Sequence, residues 1–503
     1  MFENQPKGLF ALALANTGER FGYYTMLAVF ALFLRANYGL TPGTAGIIYS
    51  SFLMFVYFFP LIGGMMADKF GFGRMVTTGI IIMFLGYLLL SVPLGGDSFA
   101  LAIMLVALVS IGFGTGLFKG NLQVMVGDLY NDPQYADKRD SGFSIFYMAI
   151  NIGALFAPTA AIRIMEWAQQ ELGVSENDSY HFAFAVACAS LILSIAIYYV
   201  FRSTFRHVEG GKKKDAANTE VDTLTPAETK ERLIALLLVF GVVAFFWMSF
   251  HQNGLSLTYF ANEFTEKSAE GVKAMCFNVW NLVAIIFMVY AAFSLFQGKT
   301  AKGRGISALV IIAALAFLAY SYGVLDSSVE VKAPIFQQFN PFYVVALTPV
   351  SLAIFGWLAA KNKEPKAPRK IAYGMIVAAV AFCLMLYASL TLPSPNEQMA
   401  LGDAAPRVSS YWLISTYLVL TFGELLLSPM GISFVSKVAP PKYKGACMGG
   451  WFVSTAIGNQ LVMVGGILWG DLPLWSVWAV FAALCILAAL FMFSIMKRLE
   501  KVC

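Results

Sequence analysis

Four ionisable residues stand where the surrounding sequence offers them no water. Arg20 and Lys119 each lie about ten residues or more from the end of a long apolar run, which at about 1.5 Å per helical residue puts them near the middle of a bilayer. Glu19 and Glu424 lie at similar depth. A charge there costs at least about 2.5–3.5 kcal/mol on insertion scales, so it should face a polar cavity or be neutralised in a static interhelical ion pair. Two of the cations come from the first half of the chain and one anion, Glu424, from the second. A cavity between the halves would then have a positive and a negative wall, suited to a small zwitterion with separated carboxylate and ammonium groups. Arg163, close to the end of its run, is expected to snorkel to the interface instead.

Aromatic and amide side chains accompany these charges. Tyr23 and Tyr24 follow Arg20, Tyr57 sits mid-run, and Tyr147 and Asn151, four apart, share one helix face. Gln252 and Asn253 lie inside another run, and Asn340 opens a later one. A single such residue in a membrane helix is more often helix–helix glue than a ligand, so the signal is the set and not any member. Gly112, Gly114, Gly116 and Gly120 bracket Lys119, and Pro429 follows Glu424 by five residues. Proline breaks a helical hydrogen bond and kinks the helix, as moving elements at a substrate site require; for each glycine alone, close packing explains it equally well.

These residues need helices to hold them, and the composition supplies nothing else. Of 503 residues, 59% are hydrophobic and 13% charged, roughly half the usual charged share. A soluble protein of this length needs a polar shell that so few charges cannot make. A disordered chain, a nucleic-acid binder and an ordinary cytosolic enzyme are excluded on that ground. The first apolar run contains Glu19 and Arg20 and has no small-residue cleavage site, so it is not expected to be a cleaved signal peptide. The six cysteines are scattered without metal spacing, and there is no HExxH, GxSxG or Cys/His cluster; no metal, cofactor or enzymatic activity is expected.

Runs long enough to cross a bilayer number fourteen, from 8–35 to 473–497, among them 232–262, 339–361 and 443–469. With a cytoplasmic N-terminus, about 26 of the 34 Lys and Arg fall on the inside and about five outside (Arg35, Lys267, Lys273, Lys332, Arg407). Both termini are therefore expected in the cytoplasm of a cell whose inner (plasma) membrane holds the protein. The fold class is an all-α polytopic membrane protein. A six-helix bundle occupies 1–203 and a cytoplasmic linker 204–231, with Lys212, Lys213 and Lys214. The remaining eight runs fill 232–503. Two six-helix halves joined by such a linker describe the major facilitator plan, and two helices are left over as an added hairpin.

The segment Asn16-Thr17-Gly18-Glu19-Arg20-Phe21-Gly22-Tyr23-Tyr24 resembles the first-helix motif ExxERFxYY of the proton-dependent oligopeptide transporter (POT, or PTR) family. Gly63-Gly64-Met65-Met66-Ala67-Asp68-Lys69-Phe70-Gly71 and the stretch Phe143–Ala154 are similar to its second- and fifth-helix signatures. Phe336–Pro341 and Phe422–Gly431 are similar to its eighth- and tenth-helix segments. The resemblance implies a facilitator fold importing di- and tripeptides with protons. It implies that Arg20 and Lys119 hold the peptide C-terminus and that Glu424, Asn151 and Asn340 hold its N-terminus. Tyr23, Tyr24, Tyr57, Trp247 and Trp451 would line the pocket, and Tyr147, on the helix face of Asn151, is expected with them. It also places the added hairpin at 272–325, after core helix seven. The partners implied are peptides, protons and the bilayer, with no nucleic acid, and the chain is expected as a monomer.

Two residues depart from the family pattern. Asn16 stands where the motif has its first glutamate, and His251 stands where core helix seven carries an acidic residue that pairs with the counterpart of Lys119. Glu19, Glu424 and His251 are left as the proton-coupling candidates. His251 titrates near neutrality in water, so it could carry a proton or serve as a neutral hydrogen-bonding ring. Either coupling is altered or the substrate is changed, fewer negative groups favouring a more anionic solute. A sensor that binds peptide without moving it is a further alternative.

Overall fold

The computed structural model describes residues 5–210, 224–298 and 300–502; the lysine triplet of the linker lies outside them. Helices follow one another through short connections: α1 (Lys7–Tyr38), α2 (Pro42–Phe70), α3 (Phe72–Ser91), α4 (Ser98–Asp128), α5 (Arg139–Glu171), α6 (Glu176–Val200) and α7 (Pro226–Phe250). A 3-10 turn, His251–Gly254, leads to α8 (Ser256–Glu263), then α9 (Gly271–Met275), α10 (Val279–Gln297), α11 (Ala301–Gly323), α12 (Phe339–Ala360) and α13 (Ala367–Ala388). The chain ends with α14 (Pro395–Leu401), α15 (Tyr411–Val438), α16 (Lys444–Leu461), α17 (Met463–Ile467), α18 (Leu474–Ser494) and α19 (Met496–Lys501). Two-residue strands β1 (Ser268–Ala269) and β2 (Val329–Glu330) pair antiparallel, Ser268 opposite Glu330.

Among the described residues, twelve helices are long and apolar enough to cross a membrane. Long helices that miss this criterion are α1, which carries Glu19 and Arg20, and α16, an 18-residue helix with Asn459 and Gln460 near its end. Ends are set by local chemistry. Thr41, Asp97 and Ser175 accept N–H groups of the first turns of α2, α4 and α6. Thr225 and Glu228 form a reciprocal capping box with Pro226 in the first turn, so α7 begins before the apolar run that starts at 232.

The chain divides into two compact units. The first holds residues through Leu255, Gly431–Leu468 and residues from Ser494; the second holds Ser256–Met430 and Trp469–Phe493. In the first, α1 packs on α5 and α6, α4 on α2 and α3, and α16 on α2 and α7. The α2–α4 crossing is glycine on both sides: a Cβ on Gly63 would stand 2.3 Å from the Gly116 carbonyl oxygen. Backbones that close need small residues, as membrane helices use them generally. In the second, α10 packs on α11 and α12. Trp478 is fully buried and its indole N–H donates to Ser389 Oγ at 3.0 Å. Outward positions stay apolar, Leu309 and Leu352 being 66% and 68% exposed, which is the surface hydrocarbon covers and water would not tolerate.

Candidate functional site

Helix α1 delivers its charged pair as one object. Arg20 donates Nε–H and Nη2–H to the two carboxylate oxygens of its neighbour Glu19 at 2.5 and 2.6 Å, and both side chains are within 3% of full burial. The guanidinium also lies 4.5 Å from the centre of the Tyr23 ring, a cation–π contact, and Tyr23 meets Tyr24 edge-on at 5.1 Å. In sequence, Glu19 and Arg20 read as separate groups facing a cavity; the structure makes them a bidentate ion pair within a single helix. Asn16, one turn earlier, is buried.

Lys119 is placed differently. Its ammonium lies 4.1 Å from the centre of the Tyr57 ring on α2, and among the described residues it has no carboxylate within ion-pair distance. Arg20 and Glu19 are its electrostatic neighbours, and their charges cancel. Beyond Tyr57 stands His251, ring centres 6.4 Å apart, and His251 stacks on Trp247 at 5.3 Å with an interplanar angle of 24°. The imidazole Nε2 and the Trp247 indole nitrogen are both buried without a hydrogen-bond partner among the described residues.

Two elements approach closely at the turn that carries His251. A Cβ on Gly254 would collide with the Tyr49 hydroxyl at 1.8 Å, so the chain there must be glycine. Buried Gln252 then donates to the Met248 and Val462 carbonyls, tying the turn to the end of α16.

Other expected residues join this group less directly or not at all. Asn151 is buried and donates to the Tyr147 carbonyl one turn back in α5, while Tyr147 is half exposed. Trp451 is buried with its ring against Gly431, where a Cβ would be 1.9 Å away. Arg163 reaches outward to Glu166, as a snorkelling side chain should.

The second unit holds its own polar centre. Asn340, at the start of α12, donates to Glu424 Oε2 on α15 and to Thr421 Oγ1, each at 3.0 Å. Glu424 is 9% exposed, and no cation is paired with it among the described residues. Thr421 did not emerge from the sequence, although its position three residues before Glu424 on one helix was a usable signal. Among the described residues no cluster of His, Cys, Asp or Glu could hold a metal.

Two buried acid–base centres on an apolar helical scaffold can bind and release charged solute; comparison with known proteins says which kind of scaffold this is. The family model described as POT family matches residues 73–225 and 316–465. The chain belongs to the POT family. It is a multi-pass membrane transporter, and its sequence aligns with POT relatives over nearly its whole length. It is 30% identical to the uncharacterized transporter YclF of Bacillus subtilis, over 92% of this chain and 87% of that one. It is 27% identical to a di-/tripeptide transporter of Lactococcus lactis, over 92% and 89%. A crystal structure of a peptide transporter POT in complex with sulfate shares the fold, with a TM-score of 0.75 at 23% identity, over 100% of this chain and 96% of that one.

Proposed function

We propose that this POT-family chain imports di- and tripeptides by alternating access. The carrying observation is the half-buried ammonium of Lys119, which sits beside an already neutral Arg20–Glu19 pair and, among the described residues, has no carboxylate within ion-pair distance. A cation held at this depth is costly unless something negative joins it. The terminal carboxylate of a peptide is the group it lacks, with Arg20 as the second donor. Glu424, oriented by Asn340, takes the peptide ammonium. Asn151 assists it, and Tyr23, Tyr24, Tyr57, Tyr147, Trp247 and Trp451 line the path. The di- and tripeptide transporters among the relatives support this substrate class.

Coupling to protons is retained in altered form. With Asn16 and His251 in place of two carboxylates, Glu19 and Glu424 are the remaining carriers and His251 modulates them. We read fourteen spans, with α10 and α11 as a hairpin inserted into a twelve-helix facilitator core, both termini cytoplasmic, and the monomer as the working unit in the inner membrane.

The deciding experiment is uptake of a labelled dipeptide by purified protein in liposomes, with and without an imposed proton gradient. Uphill uptake in the gradient, lost in Lys119→Ala and in Glu424→Ala, is expected. Uptake that never exceeds equilibration refutes the coupling, and undiminished uptake in both variants refutes the site.

A further inference from the structure

The corner formed by Lys119, His251 and Trp247 holds more donors than a zwitterionic peptide backbone can use. Both oxygens of Glu19 accept from Arg20, and Glu19 makes no ion pair with Lys119. An ammonium has three N–H donors, and that of Lys119 lies over the face of Tyr57 with no hydrogen bond or ion pair among the described residues. One layer away, two stacked rings carry buried nitrogens without partners: the indole N–H of Trp247, always a donor, and Nε2 of His251. Imidazole makes no side-chain hydrogen bond to any described residue, so its tautomer is not fixed by a neighbour and the ring can present a donor to an incoming group. A buried donor left unmade costs free energy that a bound acceptor would recover.

We propose that this corner is a subsite for a second anionic group on the substrate, so that dipeptides with an acidic side chain are preferred over their neutral isosteres. The inference rests on the peptide reading above and names the substrate class of the same site. The residue at position 251 decides it. A carboxylate there would occupy Lys119 and repel a carboxylate on the substrate. Histidine leaves Lys119 open, removes that repulsion and adds a donor. The ligand then supplies two acids to this side: its terminal carboxylate accepts from Arg20 and one N–H of Lys119, and its side-chain carboxylate accepts from a remaining N–H of Lys119 and from His251.

The test is competition against labelled Ala-Ala uptake in liposomes, comparing Ala-Glu with Ala-Gln, which differ in charge and hardly in shape. The wild-type protein should be inhibited by Ala-Glu at roughly tenfold lower concentration, the ratio that one charge-assisted hydrogen bond confers. His251→Glu should reverse that order, read as the ratio of Ala-Glu to Ala-Gln inhibition within that variant, and His251→Gln, which keeps a neutral donor, should preserve the wild-type order. Ligand-induced thermal shifts of the detergent-solubilised protein give the same ranking without transport and cover a variant that does not reconstitute. Equal inhibition by the two peptides in the wild type overturns the subsite and leaves the peptide reading standing. So does an unchanged Ala-Glu preference in His251→Glu. Failure of every dipeptide to compete, shift or be taken up by folded protein overturns both.

Discussion

Breaking the Arg20–Glu19 pair tests the central electrostatic argument most directly. Glu19→Gln keeps the shape of the side chain and one acceptor oxygen but removes the charge. Arg20 then stays buried, with one of its two short bonds replaced by a weaker neutral one and the other without an acceptor. Two unit charges about 4 Å apart at an effective dielectric of 20 attract by about 4 kcal/mol, and removing one partner of a buried pair typically costs about 3–5 kcal/mol. Retention of one hydrogen bond puts Glu19→Gln at the low end, about 3 kcal/mol, which is about a hundredfold in the folding equilibrium. Arg20→Met should cost a similar amount by stranding the carboxylate. The double variant Glu19→Gln/Arg20→Met, uncharged on both sides, should recover much of the loss, because no buried charge is then left unpaired. Detergent-solubilised protein is heated, and the fraction that remains monodisperse is followed with temperature, all variants at one scan rate because such unfolding is seldom reversible. Singles that unfold with the wild type, or a double variant that loses the sum of the singles, would refute the view that these residues form one neutral buried unit.

Three other outcomes follow from the packing and the loops. Gly63→Val drives a branched side chain into the Gly116 carbonyl and should prevent accumulation of folded protein, read by size-exclusion profile; the control Gly64→Ser, at a glycine with open space around it, should behave as wild type. Trp478→Ala empties the largest fully buried side chain of the second unit and leaves Ser389 without its indole donor, a loss of about 3–5 kcal/mol visible as a lowered thermal midpoint. Glu266 lies in the connection after α8, outside the spans. Burial works against its charge, but Lys273 at 2.7 Å and the N–H and hydroxyl of Ser410 outweigh that and hold its carboxyl below the usual range. A carboxyl depressed in the folded state adds stability above its unfolded pKa and loses it as pH falls through the folded one. Glu266→Gln should therefore lower the thermal midpoint near pH 7 and cease to differ from wild type in acid below the usual carboxylate range.

Much of the scaffold was legible because a bilayer imposes a length and a polarity on every element that crosses it. The first six runs correspond to α1–α6, though α5 extends past its apolar run to Glu171. Less legible was anything set by a distant neighbour. The run 232–262 reads as one span, and Pro226–Glu263 is one, but its winding tightens to a 3-10 turn at His251–Gly254, where Gly254 meets Tyr49 from about two hundred residues away. The run 443–469 likewise divides into α16 and α17, where Val462 accepts from Gln252. The start of α7 was readable in Thr225-Pro226-Ala227-Glu228, a capping signature that a search for apolar runs passes over. In the site, residue types and depth were readable but partners were not. Adjacent residues on a helix do not ordinarily face each other, so nothing in the order Glu19-Arg20 announces that they bind one another. Nor does the sequence reveal that the ammonium of Lys119 lies over a ring.

Helix α11 buries only Ser307 and Ala314, and its protein neighbour is essentially α10 alone. Such an element owes its place to the surrounding hydrocarbon more than to any complementary surface. Its sequence is then free to drift among Leu, Ile, Val and Phe with little effect, since lipid chains reshape themselves around whatever methyl groups they meet. An Ile312→Lys change, by contrast, would confront a medium that cannot rearrange to accommodate it.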